Sequence, residues 1–214
     1  MIFYISHFYW NIHLMYCIKN DMRSIKSAEL IYLGLKKCLK EKPFEKITIT
    51  DIQNASTVGR ATFYRKFDSI EDVLYWKCSQ KFSEVFESYE KQEDKKRDGL
   101  VVHFINYWTN NSEIIEEILA IEKLDIILKC HTNNTYINSV VNSTYSDFFK
   151  SNSSYYDYFI SLRIGIFVST LTTWVKRGKR ETSQEIIEIL TKQLEFINTV
   201  PILILKINSS LNQT

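Results

Sequence analysis

The stretch TITDIQNASTVGRATFYRKF, residues 48–67, carries the apolar pairs Ile49/Ile52 and Phe63/Phe67 at the three- and four-residue spacing of a helix face. Thr57-Val58-Gly59 lies between the pairs as a turn signal, so the segment reads as a helix-turn-helix. Ile47-Thr48-Ile49-Thr50 has the local look of a strand, but no run of similar character lies nearby, and Thr48 is placed to cap a short helix running to about Ala55. With Phe63 and Phe67 turned inward, the second helix presents Arg60, Ala61, Thr62, Tyr64, Arg65 and Lys66. This mixture suits DNA. Lys and Arg neutralise phosphates, Thr and Tyr hydroxyls donate to phosphate oxygens, and a small Ala near the helix start lets the backbone enter a major groove about 12 Å wide. Arg60 is the residue best placed to reach a guanine edge, and Thr48 joins the candidate DNA contacts at the entry to the first helix.

Outward from this segment, the chain of 214 residues is 45% hydrophobic and 24% charged, enough to bury a core without disulfides or metal. Only five Gly and two Pro supply tight turns, which disfavours sandwiches, barrels and Rossmann sheets and predicts an all-α fold. The net charge of +2 is unevenly spread: residues 22–67 hold ten Lys/Arg against four Asp/Glu, whereas residues 68–214 are net acidic. Cys17, Cys38, Cys78 and Cys130 form no C-x-x-C pair, so neither a zinc site nor a disulfide framework is indicated, and a reduced cytoplasmic protein is expected. Cys130 and His131 are neighbours that point to different helix faces, which reads as packing and not as metal ligation. Four scattered histidines and five glycines assemble no catalytic set and no phosphate loop, so an enzyme is not expected, and no cofactor is implied.

Before the helix-turn-helix, Ala28, Ile31, Tyr32, Leu35, Cys38 and Leu39 predict an amphipathic helix over 23–41, ended by Lys42-Pro43. After it, Ser69 and Asp72 form a capping-box pattern opening a long helix with the stripe Leu74, Cys78, Phe82, Val85, Phe86 and Tyr89. Residues 91–99 read as a polar hinge. Helices are then predicted over 100–109, over 113–129 with one stripe of Ile114, Ile118, Ile121, Leu124 and Leu128, and over 135–149. Residues 155–175 are apolar almost all round, and Gly165 in their middle suggests that another backbone approaches there. Thr182 and Glu185 open a last helix with Ile186, Ile189, Leu190, Leu194 and Ile197 along one side. Two such broad apolar helices predict self-association. Residues 1–21 are apolar, but no basic residue precedes the run, which makes a poor signal peptide and a marginal span. They read as an extension outside the core fold, with Met22 as a plausible start. The expected division is 1–21 extension, 22–74 DNA-binding domain, 75–200 regulatory bundle and 201–214 tail.

From Ser27 to Leu74 the chain resembles the DNA-binding domain of the TetR family of bacterial repressors, through Ile47-Thr48-Ile49, Asp51-Ile52 and Thr62-Phe63-Tyr64-Arg65-Lys66-Phe67. It departs from that pattern in Thr57 for a turn glycine, Gly59 for a capping Ser, Ile70 for a Lys that touches phosphate, and Lys66 for a frequent His. The resemblance implies a homodimer joined through the last two long helices, with two recognition helices in successive major grooves of a near-palindromic operator on double-stranded DNA. It further implies a repressor released by a small-molecule inducer bound among aromatic helices, for which Phe104, Tyr107, Trp108, Tyr145 and Phe149 are the candidate lining. No membrane partner is implied. The competing expectation is a helical protein–protein interaction module without sequence-specific DNA binding.

Overall fold

The computed structural model describes residues 22–91, 99–133 and 156–199, and among these the chain is all-helical. Helix α1 spans Met22–Glu41, and a 3₁₀ turn follows at Phe44–Lys46. Next come α2 (Ile49–Ser56), α3 (Arg60–Tyr64), α4 (Ile70–Glu90), α5 (Gly99–Asn110), α6 (Glu113–Ala120), α7 (Leu124–Thr132), α8 (Tyr156–Lys176) and α9 (Ser183–Thr199). The two capping boxes read from sequence form, and the cap expected at Thr48 proves to be a third. Thr48 pairs with Asp51, Ser69 with Asp72, and Thr182 with Glu185, each satisfying amides that a helix start leaves open.

Ala28, Ile31, Tyr32, Leu35 and Cys38 of α1 are buried, as the stripe predicts. The sequence reading passed over Gly34. A Cβ there would lie 2.6 Å from Ser56 Cβ and 3.0 Å from the Ile52 carbonyl oxygen, so α1 and α2 touch backbone to backbone at this glycine. Thr57 then takes the left-handed conformation, φ 63°, and its N–H donates to Gln53 O to close α2. This is the position where the TetR pattern has glycine.

Helix α4 runs from this N-terminal unit into the body with Val73, Leu74, Cys78, Phe82, Val85, Phe86 and Tyr89 inward, and it packs against α1, α5, α6 and α7. The single helix expected over 113–129 is two. Glu122 takes φ 59° between α6 and α7, and the break rotates the second helix about its axis. Leu124 and Leu128 are consequently left on the outside, while Ile126, Ile127, Cys130 and His131 turn in. The helix expected over 135–149, the hinge residues 92–98, and the segments 1–21 and 200–214 lie outside the described residues.

Helix α8 buries Ile160, Ile164, Phe167, Val168, Leu171 and Trp174, while Tyr158 and Leu162 on its other side are 78% and 66% exposed. Its length and apolar composition match those of a bilayer-crossing helix, and equally those of a core helix. Gly165 faces open space: no atom of the described residues lies within 4 Å of a Cβ built there, so the close backbone expected at this glycine is not found among them. On α9, Ile186 is buried and Ile189 is half exposed. Trp174 Nε1 donates to Glu181 O at 2.8 Å, fixing the turn between the two helices, in which Gly178 takes φ 78°.

Candidate nucleic-acid interface

Helix α3 is too short to hold itself by its own hydrogen bonds, and Gly59 at its N-cap offers no side chain. Rings hold it instead. Phe63 and Phe67 are buried with centroids 5.9 Å apart, and Phe67 meets the edge of Trp76 on α4 at 6.0 Å. With Phe63 pinned inward, Arg60, Ala61, Tyr64 and Arg65 are exposed and Thr62 is half-buried. The Arg60 guanidinium lies 5.6 Å from the Tyr64 ring centroid, and its Nη2 donates to the Tyr64 hydroxyl at 3.4 Å. Arg65 Nη2 donates to Thr62 Oγ1 at 2.7 Å, which leaves the Thr62 O–H to donate outward. A guanidinium carries five N–H donors, so one internal bond leaves each arginine others for phosphate or base edges.

Two residues expected on this surface are engaged elsewhere. Lys66 lies beyond the end of α3 and is half-buried, where the chain turns back, and its Nζ donates to Ser24 Oγ of α1 at 2.6 Å. It ties the recognition segment to α1 and is not on the outward face. Thr48 is exposed, but its N–H and its hydroxyl both donate to Asp51 Oδ2, at 2.7 and 2.6 Å, and its Oγ1 accepts from the Asp51 N–H at 3.2 Å. The Lys42 ammonium, 2.6 Å from the same carboxylate, is the main reason that the Asp51 pKa falls to about 2, with the Thr48 bonds adding to it. Thr48 therefore sets the angle of α2.

The N-terminal unit is fastened to the body through charge. Tyr32 of α1 donates to Glu117 Oε2 of α6 at 2.7 Å, and Lys36 pairs with Glu113 and, at 3.3 Å, with Glu117. Burial raises the pKa of both the Tyr32 phenol and the Glu117 carboxyl. Lys77 of α4 bonds both oxygens of Glu29 at 2.9 Å. Sequence periodicity carries no sign of these contacts, because their partners are 48 to 85 positions apart.

In the body, Phe104 and Trp108 are buried in an aromatic cluster with Phe82 and Phe167, whereas Tyr107 is half-buried with its hydroxyl donating to Glu84 Oε2 at 2.8 Å. Tyr145 and Phe149 lie outside the described residues. At the centre of the cluster is His131, with ring centroids 5.3 Å from Phe82, 5.9 Å from Phe104 and 6.2 Å from Phe167. It is 1% exposed, and among the described residues neither ring nitrogen has a hydrogen-bond partner. The Trp108 indole N–H, on a residue of zero exposure, also has none. Burial, with the Arg163 charge adding to it, holds the His131 pKa down to about 3, so the imidazole is neutral. The sequence predicts packing for His131, and no signal in it marks the ring nitrogens as unpaired.

No family model matches the chain. It is 23% identical over 104 residues to the HTH-type dhaKLM operon transcriptional activator DhaS of Lactococcus lactis, a match covering 49% of this chain and 54% of that protein. The chain thus spans about half the length of this relative. Its fold is similar to the crystal structure of Lin0861 from Listeria innocua, with a TM-score of 0.70, 17% sequence identity, and coverage of 83% of this chain and 93% of that one. The relative is by name an HTH-type transcriptional activator, and the likeness to the solved structure is one of fold.

Proposed function

We propose that the protein is a homodimeric regulator of the TetR type that binds a near-palindromic operator and releases it when a small molecule enters the body, with no enzymatic activity. The observation that carries this reading is the set of exposed Arg60, Tyr64 and Arg65 with half-buried Thr62 on a short helix fixed from below by Phe63 and Phe67. The dimer is supported by the face of α8 formed by Tyr158, Leu162 and Gly165, which the described residues leave uncovered. A second copy packed there supplies the close backbone that Gly165 suggests. Regulation is supported by the Tyr32–Glu117 and Lys36–Glu113 contacts, through which a shift of α6 changes the tilt of α1 and with it the spacing of two recognition helices.

DNA selected from a randomised pool and titrated by gel shift tests the reading. Arg60→Ala is expected to weaken the selected site by about 1–3 kcal/mol, roughly 5- to 150-fold, and affinity is expected to fall steeply with salt. Failure to select any sequence, together with an unchanged affinity of Arg60→Ala for bulk DNA, would instead establish the protein-interaction module. Repression is the sign that the TetR resemblance implies, while activation is favoured by the name of the Lactococcus relative. Sites overlapping promoters decide for repression, and sites upstream of them for activation.

A further inference from the structure

Trp108 on α5 and His131 on α7 share the neighbours Phe82 and Phe104, so their three unpaired nitrogens sit within one box of rings at the middle of the body. A buried polar group without a partner costs more than an apolar side chain of the same shape in the same place. Phe at either position would pack among these rings without that cost, and three such atoms in one cluster mark a place where a ligand can supply the partners that the described residues do not. Resting on the reading of the body as the regulated half, we propose that this box is the effector site and that its ligand is a flat, uncharged aromatic compound bearing a hydroxyl and a carbonyl.

The chemistry follows from the groups present. Neutral His131 offers one N–H and one lone pair, and Trp108 offers one N–H, so a ligand that pairs all three brings two acceptors and one donor. A carbonyl oxygen and a hydroxyl supply that set. Phe82, Phe104 and Phe167 present ring surface, which favours an aromatic body by stacking and edge contact. The Arg163 guanidinium, 5.7 Å from the Phe167 centroid, places positive charge beside the box and works against a cationic ligand. Because the box is closed to solvent, the compound enters by parting α5, α7 and α8, and its binding energy therefore favours an opened body, as release of DNA requires.

Calorimetric titration of the full chain without DNA tests the site with three probes of similar size: 4-hydroxyacetophenone, ethylbenzene and benzylamine. The expected result is that 4-hydroxyacetophenone binds at least tenfold more tightly than ethylbenzene, with benzylamine weakest. His131→Phe is expected to raise Tm by about 2–4 °C and to bring the first ratio close to one, and Trp108→Phe to reduce it severalfold. Equal binding of the three probes to the wild-type protein overturns the proposal, as does a ratio that survives in both variants. A Tm that falls in His131→Phe would show a packing role, and the Trp108→Phe ratio then decides alone. A parallel gel shift of the wild-type protein separates the two readings. Selective probe binding with no operator binding refutes the DNA assignment and leaves the box standing, and operator binding without probe selectivity does the reverse.

Discussion

At the exposed start of α2, Thr48 and Asp51 exchange three hydrogen bonds and Lys42 adds an ion pair, whereas in the interior of the body Trp108 and His131 have three ring nitrogens with no partner. The two regions also treat glycine differently. Gly34 lets α1 and α2 meet at a distance that a methyl group cannot share, while Gly165 on α8 has open space before it. The N-terminal unit is held by many internal bonds, which suits the proposed presentation of side chains to a duplex at fixed spacing. Among its described residues the body keeps polar atoms and an apolar face unsatisfied, and such places are where ligands and second copies can act.

The contrast is broken most directly at Gly34. Gly34→Ala places a methyl group 2.6 Å from Ser56 Cβ, and a loss of about 1–3 kcal/mol in urea unfolding is expected, with weaker operator binding as α2 moves. A loss below about 0.5 kcal/mol would show that the α1–α2 contact is looser than described. Leu162→Lys addresses the other side of the comparison. Because Leu162 is 66% exposed in the chain, the monomer fold should tolerate lysine, while the dimer dissociation constant measured by sedimentation should rise at least tenfold, about 1.4 kcal/mol. A dimer unaffected by this charge does not use that face of α8.

Smaller effects are expected within the capped turn. Thr57→Gly relieves a β-branched residue held at φ 63° and should stabilise the protein by up to about 1 kcal/mol, the strain outweighing the entropy that glycine adds to the unfolded chain. Destabilisation would mean that the Thr57 hydroxyl, which donates to Ser56 O at 2.6 Å, matters more than the backbone strain. The smallest effect concerns Asp51. Its folded pKa of about 2 is below the unfolded value near 3.9, so its contribution is full above about pH 4 and is lost as pH falls through 2. The stability difference between the wild type and Asp51→Asn should therefore shrink over that window. A difference that is constant from pH 5 to pH 2 would show that the Lys42 and Thr48 bonds do not act through the charge.

Most of the N-terminal unit was legible because its structure is local. Capping boxes act over three residues and helix faces over three or four, so Thr48, Ser69, Thr182, Phe63 and Phe67 announced themselves by spacing alone. The same logic misplaced Leu124 and Leu128, since a stripe continued across 121–123 looks unbroken until Glu122 adopts a positive φ and resets the helical phase. It also placed Lys66 outward by extending α3 past its true end at Tyr64.

The amino-acid sequence by itself determined that the chain is helical, that its basic charge gathers before residue 68, and that one short helix carries Arg60, Thr62, Tyr64 and Arg65 beside two inward phenylalanines. Only the tertiary structure decided which buried polar atoms find partners. Hydrogen bonding and close backbone approach depend on atoms a few ångströms apart in space whose residues are tens of positions apart along the chain, as with Gly34 and Ser56 or Tyr32 and Glu117. Helical periodicity reports which side of a helix faces inward, and it is silent on what stands opposite.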